Sequence, residues 1–183
     1  MDGYLVQQTL KGRMFIGSTT YAGVVVPAYN ATAQVFGLWN PAGSGRNLVL
    51  DKLNMALATI GTEAVAAYGL SYLTNTGGSI GTGAPISAFT ATAPVNGLLT
   101  EGDTPKGRFT LSATITAPTF FYDLGVALIS TDLNTATNDG FCQLTHDFNG
   151  AITIPPGVYV GLGSSAAGGQ TMQASITWYE TDR

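Results

Sequence analysis

Apolar and polar residues alternate with a period of two along much of this chain, which places successive side chains on opposite faces of an extended strand. The cleanest run is Phe109 to Thr116, where Phe109, Leu111, Ala113 and Ile115 point one way and Thr110, Ser112, Thr114 and Thr116 the other. Threonine at the outward positions suits a strand, because β-branching restricts χ1 against the preceding turn of a helix. The pattern returns from Thr171 to Glu180, with Met172, Ala174, Ile176 and Trp178 alternating with Gln173, Ser175, Thr177 and Tyr179. Phe120 to Ser130 is apolar on both faces apart from Asp123, the composition of a strand in the middle of a sheet.

Val35 to Thr59 organises the centre of the chain. It reads as a hairpin: an apolar strand, a turn started by Asn40-Pro41 and closed by positive φ at Gly43 and Gly45, then a longer strand. Leu53, Met55 and Leu57 share one face, whereas Leu48 and Leu50 lie in the opposite phase. The spacing therefore predicts a bulge near Asp51, or a strand start buried on both faces. Val65 to Leu73 returns with Tyr68, Leu70 and Tyr72 on one side. Residues 74–95 are broken by Gly77, Gly78, Gly81, Gly83, Pro85 and Pro94 and read as a long projecting loop, with Ile80, Ile86 and Phe89 as its large apolar residues. Ile152 and Ile154 lead through Pro155-Pro156-Gly157 into a strand at Val158, Val160 and Leu162, and a glycine-rich hairpin loop follows.

Residues 1–30 are the least regular part, with short strand candidates at 14–16 and 24–26. Tyr4, Tyr21 and Tyr29 among glycines fit an extended arm lying on a neighbour, and fit edge strands of the same domain equally well. No segment reads as a helix. Strands joined by Gly/Pro turns mean an all-β fold, and long returning connections favour an antiparallel jelly-roll sandwich of about eight strands over residues 31–183.

Composition narrows the setting. A chain of 183 residues can bury a core without staples. Only 10% of its residues are charged, so its polar surface is mainly hydroxyl and amide. Neutral groups can re-pair when another protein covers them, whereas stray charges are costly to bury, which favours life in an assembly. Seven Lys and Arg and a net charge of −4 argue against a nucleic-acid partner. The N-terminus lacks the apolar stretch of an export signal, and no apolar run approaches the ~20 residues of a membrane span, so a soluble protein is expected.

The candidate chemistry is sparse. Gly161-Leu162-Gly163-Ser164-Ser165-Ala166 fits G-x-G-x-x-A, but Gly168-Gly169 interrupts where a phosphate-binding helix would have to start, so a loop is the better reading. Asp132, Asn134, Asn138 and Asp139 could supply oxygens to calcium, without the glycine and distal glutamate of an EF-hand, so no metal is assigned. Cys142 and His146 could pair as nucleophile and base only in a loop, since four strand residues separate them by about 13 Å. No cofactor motif and no catalytic residue is assigned, and the single cysteine cannot form an internal disulfide.

Two blocks carry a resemblance. LWNPAGSGRNLVLDKLNM and IPPGVYVGLGSSAAGGQTMQASITWYE resemble blocks found in structural proteins of tailed bacteriophages, and together they cover the central and C-terminal hairpins. The resemblance implies a non-enzymatic jelly-roll protein of the virion, such as a capsid decoration (cement) protein or a head or tail spike component, made in the host cytoplasm and carried on the capsid surface. Its partners would be the major capsid protein and other virion proteins, with neither nucleic acid nor membrane. Contacts are expected through residues 1–30 and 74–95, at Tyr4, Phe15, Tyr21, Ile80, Ile86 and Phe89. A homotrimer fits the low charge and the closed symmetry of most homo-oligomers. The alternative is a tail-fibre or spike module that binds a receptor or glycan by stacking on Trp39, Tyr68, Tyr72 or Tyr179.

Overall fold

The structure, a computed structural model, describes residues 3–59, 65–75, 85–99, 102–128, 143–165, 169 and 171–183. Helix α1 (Gly3–Leu10) precedes β1 (Met14–Ser18), β2 (Val24–Val25), β3 (Ala33–Gln34), β4 (Gly37–Asn40), β5 (Arg46–Thr59), β6 (Val65–Thr74) and β7 (Ile86–Thr92). Then follow β8 (Val95–Asn96), β9 (Arg108–Ile115), β10 (Thr119–Leu128), β11 (Gln143–Asp147), β12 (Thr153–Ile154), β13 (Val158–Ser164) and β14 (Thr171–Asp182).

Eight of these strands make the framework. One sheet runs β11-β5-β14-β1 and continues to β8; the other runs β10-β6-β13-β4 and continues to β9 and β3. Among the eight, the chain changes sheet at every step except β6 to β10, which is the winding of a jelly roll. Leu48, Leu50, Leu53, Met55, Ile176 and Trp178 from the first sheet meet Leu38, Tyr68, Leu70, Val160 and Leu162 from the second in one core. The fold is an all-β sandwich.

The phase change in β5 is a bulge. Thr177 lies opposite Lys52 and Trp178 opposite Leu50, so Asp51 is the extra residue. Its backbone carbonyl accepts from Phe148 N, and the bulge turns Leu48 and Leu50 onto the same core face as Leu53 and Met55.

Neither expected hairpin forms. β4 pairs with β13 and β9, whereas β5 pairs with β14, β11 and β12, so residues 41–45 turn a corner between sheets. Ser44 N donates to Pro41 O at 2.9 Å, and of the two glycines only Gly45 takes positive φ, at 67°. Buried Asn40 braces the corner, its Nδ2 donating to Arg46 O and Ile154 O, each at 2.8 Å. The glycine-rich connection after β13 likewise leads to the opposite sheet. Turn residues set local dihedrals; they do not choose which sheet receives the outgoing strand.

Further expectations are corrected. Strand β10 is an edge strand, paired only with β6 among the described residues. Its outward rings pack only on single neighbours and stay exposed: Phe120 lies 4.5 Å from Tyr29 and Phe121 5.5 Å from Tyr72, measured between ring centroids. Residues 86–92 of the expected loop are strand β7, paired with β9. In β9 the alternation changes face at a bulge near Leu111, so Phe109 enters the main core while Ala113 and Ile115 join a second cluster with Trp39, Ile86 and Tyr159. Thr110 is therefore buried, its hydroxyl donating to Thr90 O at 2.6 Å.

Residues 14–18 are not a separable arm. β1 lies between β14 and β8, and Phe15 packs 5.8 Å from Trp178 in the core. Before it, α1 ends in a Schellman turn: Arg13 N donates to Gln8 O at 2.9 Å and Gly12 N to Thr9 O at 2.8 Å, with Gly12 at φ 65°. The helix lays Leu5, Gln8 and Thr9 against the sandwich and leaves Tyr4, Val6 and Leu10 exposed.

Candidate functional site

The sequence-singled residues separate into core and surface. Phe15 is 1% and Ile86 0% exposed, so their side chains are packing groups. Phe89 leans on Trp39, with ring centroids 5.5 Å apart. Tyr4 stands edge-on to Tyr179 at 5.5 Å and anchors α1, while Tyr21 is 91% exposed. Ile80, Cys142 and the Asp132, Asn134, Asn138, Asp139 set lie outside the described residues. Of the four rings considered for stacking on sugars, Trp39, Tyr68 and Tyr179 are buried and only Tyr72 is exposed.

The glycines of the dinucleotide-like motif have a packing role. Gly161 faces Gly37, and Gly163 faces Gly69, across neighbouring strands. Together they form a trough on the outer side of the β4–β13–β6 sheet into which rings settle. A Cβ at Gly161 would come within 2.6 Å of Gln34 Oε1, and one at Gly163 within 2.9 Å of Tyr29 Cα. The Tyr29 hydroxyl donates to Ala67 O at 2.8 Å; burial, then the nearby Asp123 charge, push its pKa up to about 12, so it stays a donor.

His146 points toward the interior. Its Nε2 is 2.7 Å from the Tyr122 hydroxyl, and its ring lies 4.8 Å from that of Phe148, an arrangement that fastens the edge strands β11 and β10 together. Among the described residues no group of three or more His, Cys, Asp or Glu gathers.

Charge concentrates at one end of the sandwich. Arg13 Nη1 is 3.0 Å from Asp182 Oδ2, and Arg46 also pairs with Asp182. The Arg13 hydrogen bond, with the Arg46 charge, holds the Asp182 carboxyl below its ordinary range. Glu180 is buried beside them, its Oε1 accepting from Gly107 N at 2.8 Å and Lys106 N at 2.9 Å. Burial pushes its pKa up, only partly offset by those amides.

The two carboxyls act with opposite sign. Glu180 binds its proton more tightly when folded, so its contribution to stability is full below the ordinary glutamate range and is lost as pH rises through the raised value. Asp182 contributes above its ordinary value and loses that as pH falls through the depressed one. Glu180→Gln keeps an acceptor at Oε1 and removes the ionisation. Its melting temperature should gain on that of the native chain as pH rises from the ordinary to the raised Glu180 value; a pH-independent difference would contradict this. Glu180→Ala strands both amides and should cost about 2–3 kcal/mol.

A concave feature lies on the outer face of the β1–β14–β5–β11 sheet. Register aligns Ser18, Ser175, Asn54 and Thr145 in one row across the four strands, and Gln173, Ala56 and Gln143 in the next. Helix α1 covers the far end of this face, through Tyr4 on Tyr179 and Thr9 on Met14. The near end is bounded by the loop after β1, where Thr19 and Ala174 exchange hydrogen bonds, Gly23 N donates to Thr20 O at 2.9 Å, and Gln173 Nε2 donates to Tyr21 O. Between these boundaries is a cavity of about 380 Å³, lined among the described residues by no charged side chain. Tyr21 is legible in the sequence as an unusual aromatic; Asn54, Gln143 and Gln173 are not, because only register brings them together.

No protein-family model and no curated protein matches this chain. Among solved structures, a chain of the KBV activated particle at acidic pH is 10% identical with a TM-score of 0.21, covering 93% of this chain and 68% of that one. A chain of the infectious bursal disease virus Gx strain structure is 10% identical with a TM-score of 0.13, covering 91% of this chain and 38% of that one. Likenesses of this degree establish neither fold nor function, and the jelly-roll assignment stands on the strand order alone.

Proposed function

We propose that this chain is a non-enzymatic structural protein of a virus particle, a decoration protein that sits on the capsid surface and bridges capsomers. The observation that carries this reading is a jelly-roll framework combined with a surface poor in charge, 18 Lys, Arg, Asp and Glu in 183 residues. Jelly rolls recur in capsid and lectin domains, a fold-level analogy, and the two sequence blocks resemble tailed-phage virion proteins. The exposed rings Tyr72 and Phe121 at the rim of the sandwich, with Tyr4, are the groups proposed to meet the major capsid protein. Repeated weak contacts become tight on a lattice through effective concentration. The protein is proposed to act as a homotrimer.

Purified protein added to particles that lack it should co-sediment with them to saturation. Because the contact is uncharged, occupancy should change little between 0.05 and 0.5 M salt, conditions that would strip an electrostatic complex. Tyr72→Ser with Phe121→Ser should lower occupancy about tenfold while the fold persists. Failure to bind particles, or a monomer mass by light scattering at micromolar concentration, would count against the decoration role or the trimer respectively. The spike reading loses the three buried rings Trp39, Tyr68 and Tyr179 and keeps the exposed Tyr72.

A further inference from the structure

We propose that the cavity on the outer face of the β1–β14–β5–β11 sheet is a binding site for a neutral oligosaccharide, with Tyr21 as its stacking platform. This goes beyond the decoration role and stands whether or not the chain is carried on a capsid. The volume of about 380 Å³ falls within the roughly 300–1,000 Å³ of small-molecule sites. Its wall presents Ser18, Thr20, Asn54, Gln143, Gln173 and Ser175, a set of hydroxyls and amides that can both donate and accept. Sugar hydroxyls have the same dual character. Among the described residues no lining side chain is charged, so these groups give an anionic or cationic ligand no partner for its charge, whereas an uncharged one needs none.

Position adds to composition. Asn54, Ser175 and Gln173 stand on the paired strands β5 and β14, a rigid base on which polar groups keep their spacing. Gln173 spends its Nε2 on Tyr21 O, which ties the loop to the sheet and leaves its Oε1 to accept. Tyr21 then offers an almost fully exposed ring at the end of the cavity, with a face suited to the C–H side of a pyranose. A ring 91% exposed serves no core, and a surface of hydroxyls and amides beside it supplies the orientation that stacking alone lacks.

The test is an array of immobilised neutral oligosaccharides, printed beside sialylated and sulfated counterparts and probed with the full chain, followed by calorimetric titration of the strongest free saccharide. Binding should be confined to neutral glycans. Tyr21→Ala should weaken it about tenfold, Tyr21→Phe should keep it within about twofold, and Gln173→Ala should weaken it comparably to Tyr21→Ala. Melting temperature should be unchanged in the Tyr21 variants, since the side chain is exposed. Absence of binding to every neutral glycan, a preference for the anionic ones, or binding indifferent to Tyr21→Ala would each overturn the proposal. Loss of particle occupancy in Tyr21→Ala without any glycan binding would also overturn it, and would assign this face to a protein partner. Particle co-sedimentation and glycan binding are read separately, so failure of one leaves the other visible.

Discussion

Removing residues 1–20 will abolish cooperative folding, and removing residues 1–10 alone will not. The longer truncation deletes β1, which occupies an interior place between β14 and β8, and it empties the position of Phe15 against Trp178. Phe15→Ala by itself should cost about 3–5 kcal/mol, the usual range for deleting a fully buried aromatic. Against a total stability of roughly 5–15 kcal/mol, loss of the ring, the β1 ladder and the cover over β14 together leaves too little to hold the sandwich. The shorter truncation takes away α1, whose contacts are the Tyr4–Tyr179 edge, the Thr9–Met14 bond and the buried Gln8, all outside the main core. Thermal unfolding followed by circular dichroism distinguishes the two. A cooperative transition in the chain lacking residues 1–20 would show that β1 is dispensable.

Gly37→Val will be strongly destabilising while Gly43→Ala will be close to neutral, although the two glycines lie six positions apart. A Cβ at Gly37 would run into the Tyr159 hydroxyl and ring, in a cluster that also holds Trp39 and Ile86. Tyr159 is fully buried, so it has no open direction in which to retreat. Overpacking of this kind costs about 3 kcal/mol and displaces the ring. Gly43 has nothing within 4 Å of its virtual Cβ and does not adopt positive φ, so alanine there meets neither a clash nor strain. Equal melting temperatures for the two variants would show that the glycine trough is not packed as described.

These two results bear on what can be read from residue order. The strand at β9, the alternation in β14 and the irregular phase in β5 were legible, because a half-buried strand writes its own period into the sequence, although the face change inside β9 was not. The bulge at Asp51 follows from two apolar phases that cannot otherwise share a face. Helix α1 was hidden because its inward face mixes Leu5 with the polar Gln8 and Thr9 while Val6 and Leu10 face outward, which blurs the usual amphipathic stripe. Its end was nevertheless marked by Lys11-Gly12, a C-terminal glycine signal.

The edge position of β10 was hidden for a different reason. Apolar residues on both faces imply burial on both faces, but they do not say whether strands or loose rings supply the cover. Here no strand does among the described residues, and Phe120 and Phe121, beside Tyr29 and Tyr72, stay exposed, as does Val126. The candidate site was less legible still. Tyr21 and Gln173 lie far apart in the chain and meet through one hydrogen bond, and Asn54 joins them only by its pairing with Ser175.

Residue order by itself determined that this chain is built of strands, where most of them run and how few charges they leave outside, because each of these depends on composition and on neighbours one or two positions away. Tertiary structure alone decided that β4 and β5, and again β13 and β14, part into opposite sheets, that Phe15 and Ile86 are core, and that a neutral cavity opens beside Tyr21. The physical reason is that a turn fixes the direction of the chain locally, whereas the partner a strand takes is settled by the whole set of ladders and buried faces at once.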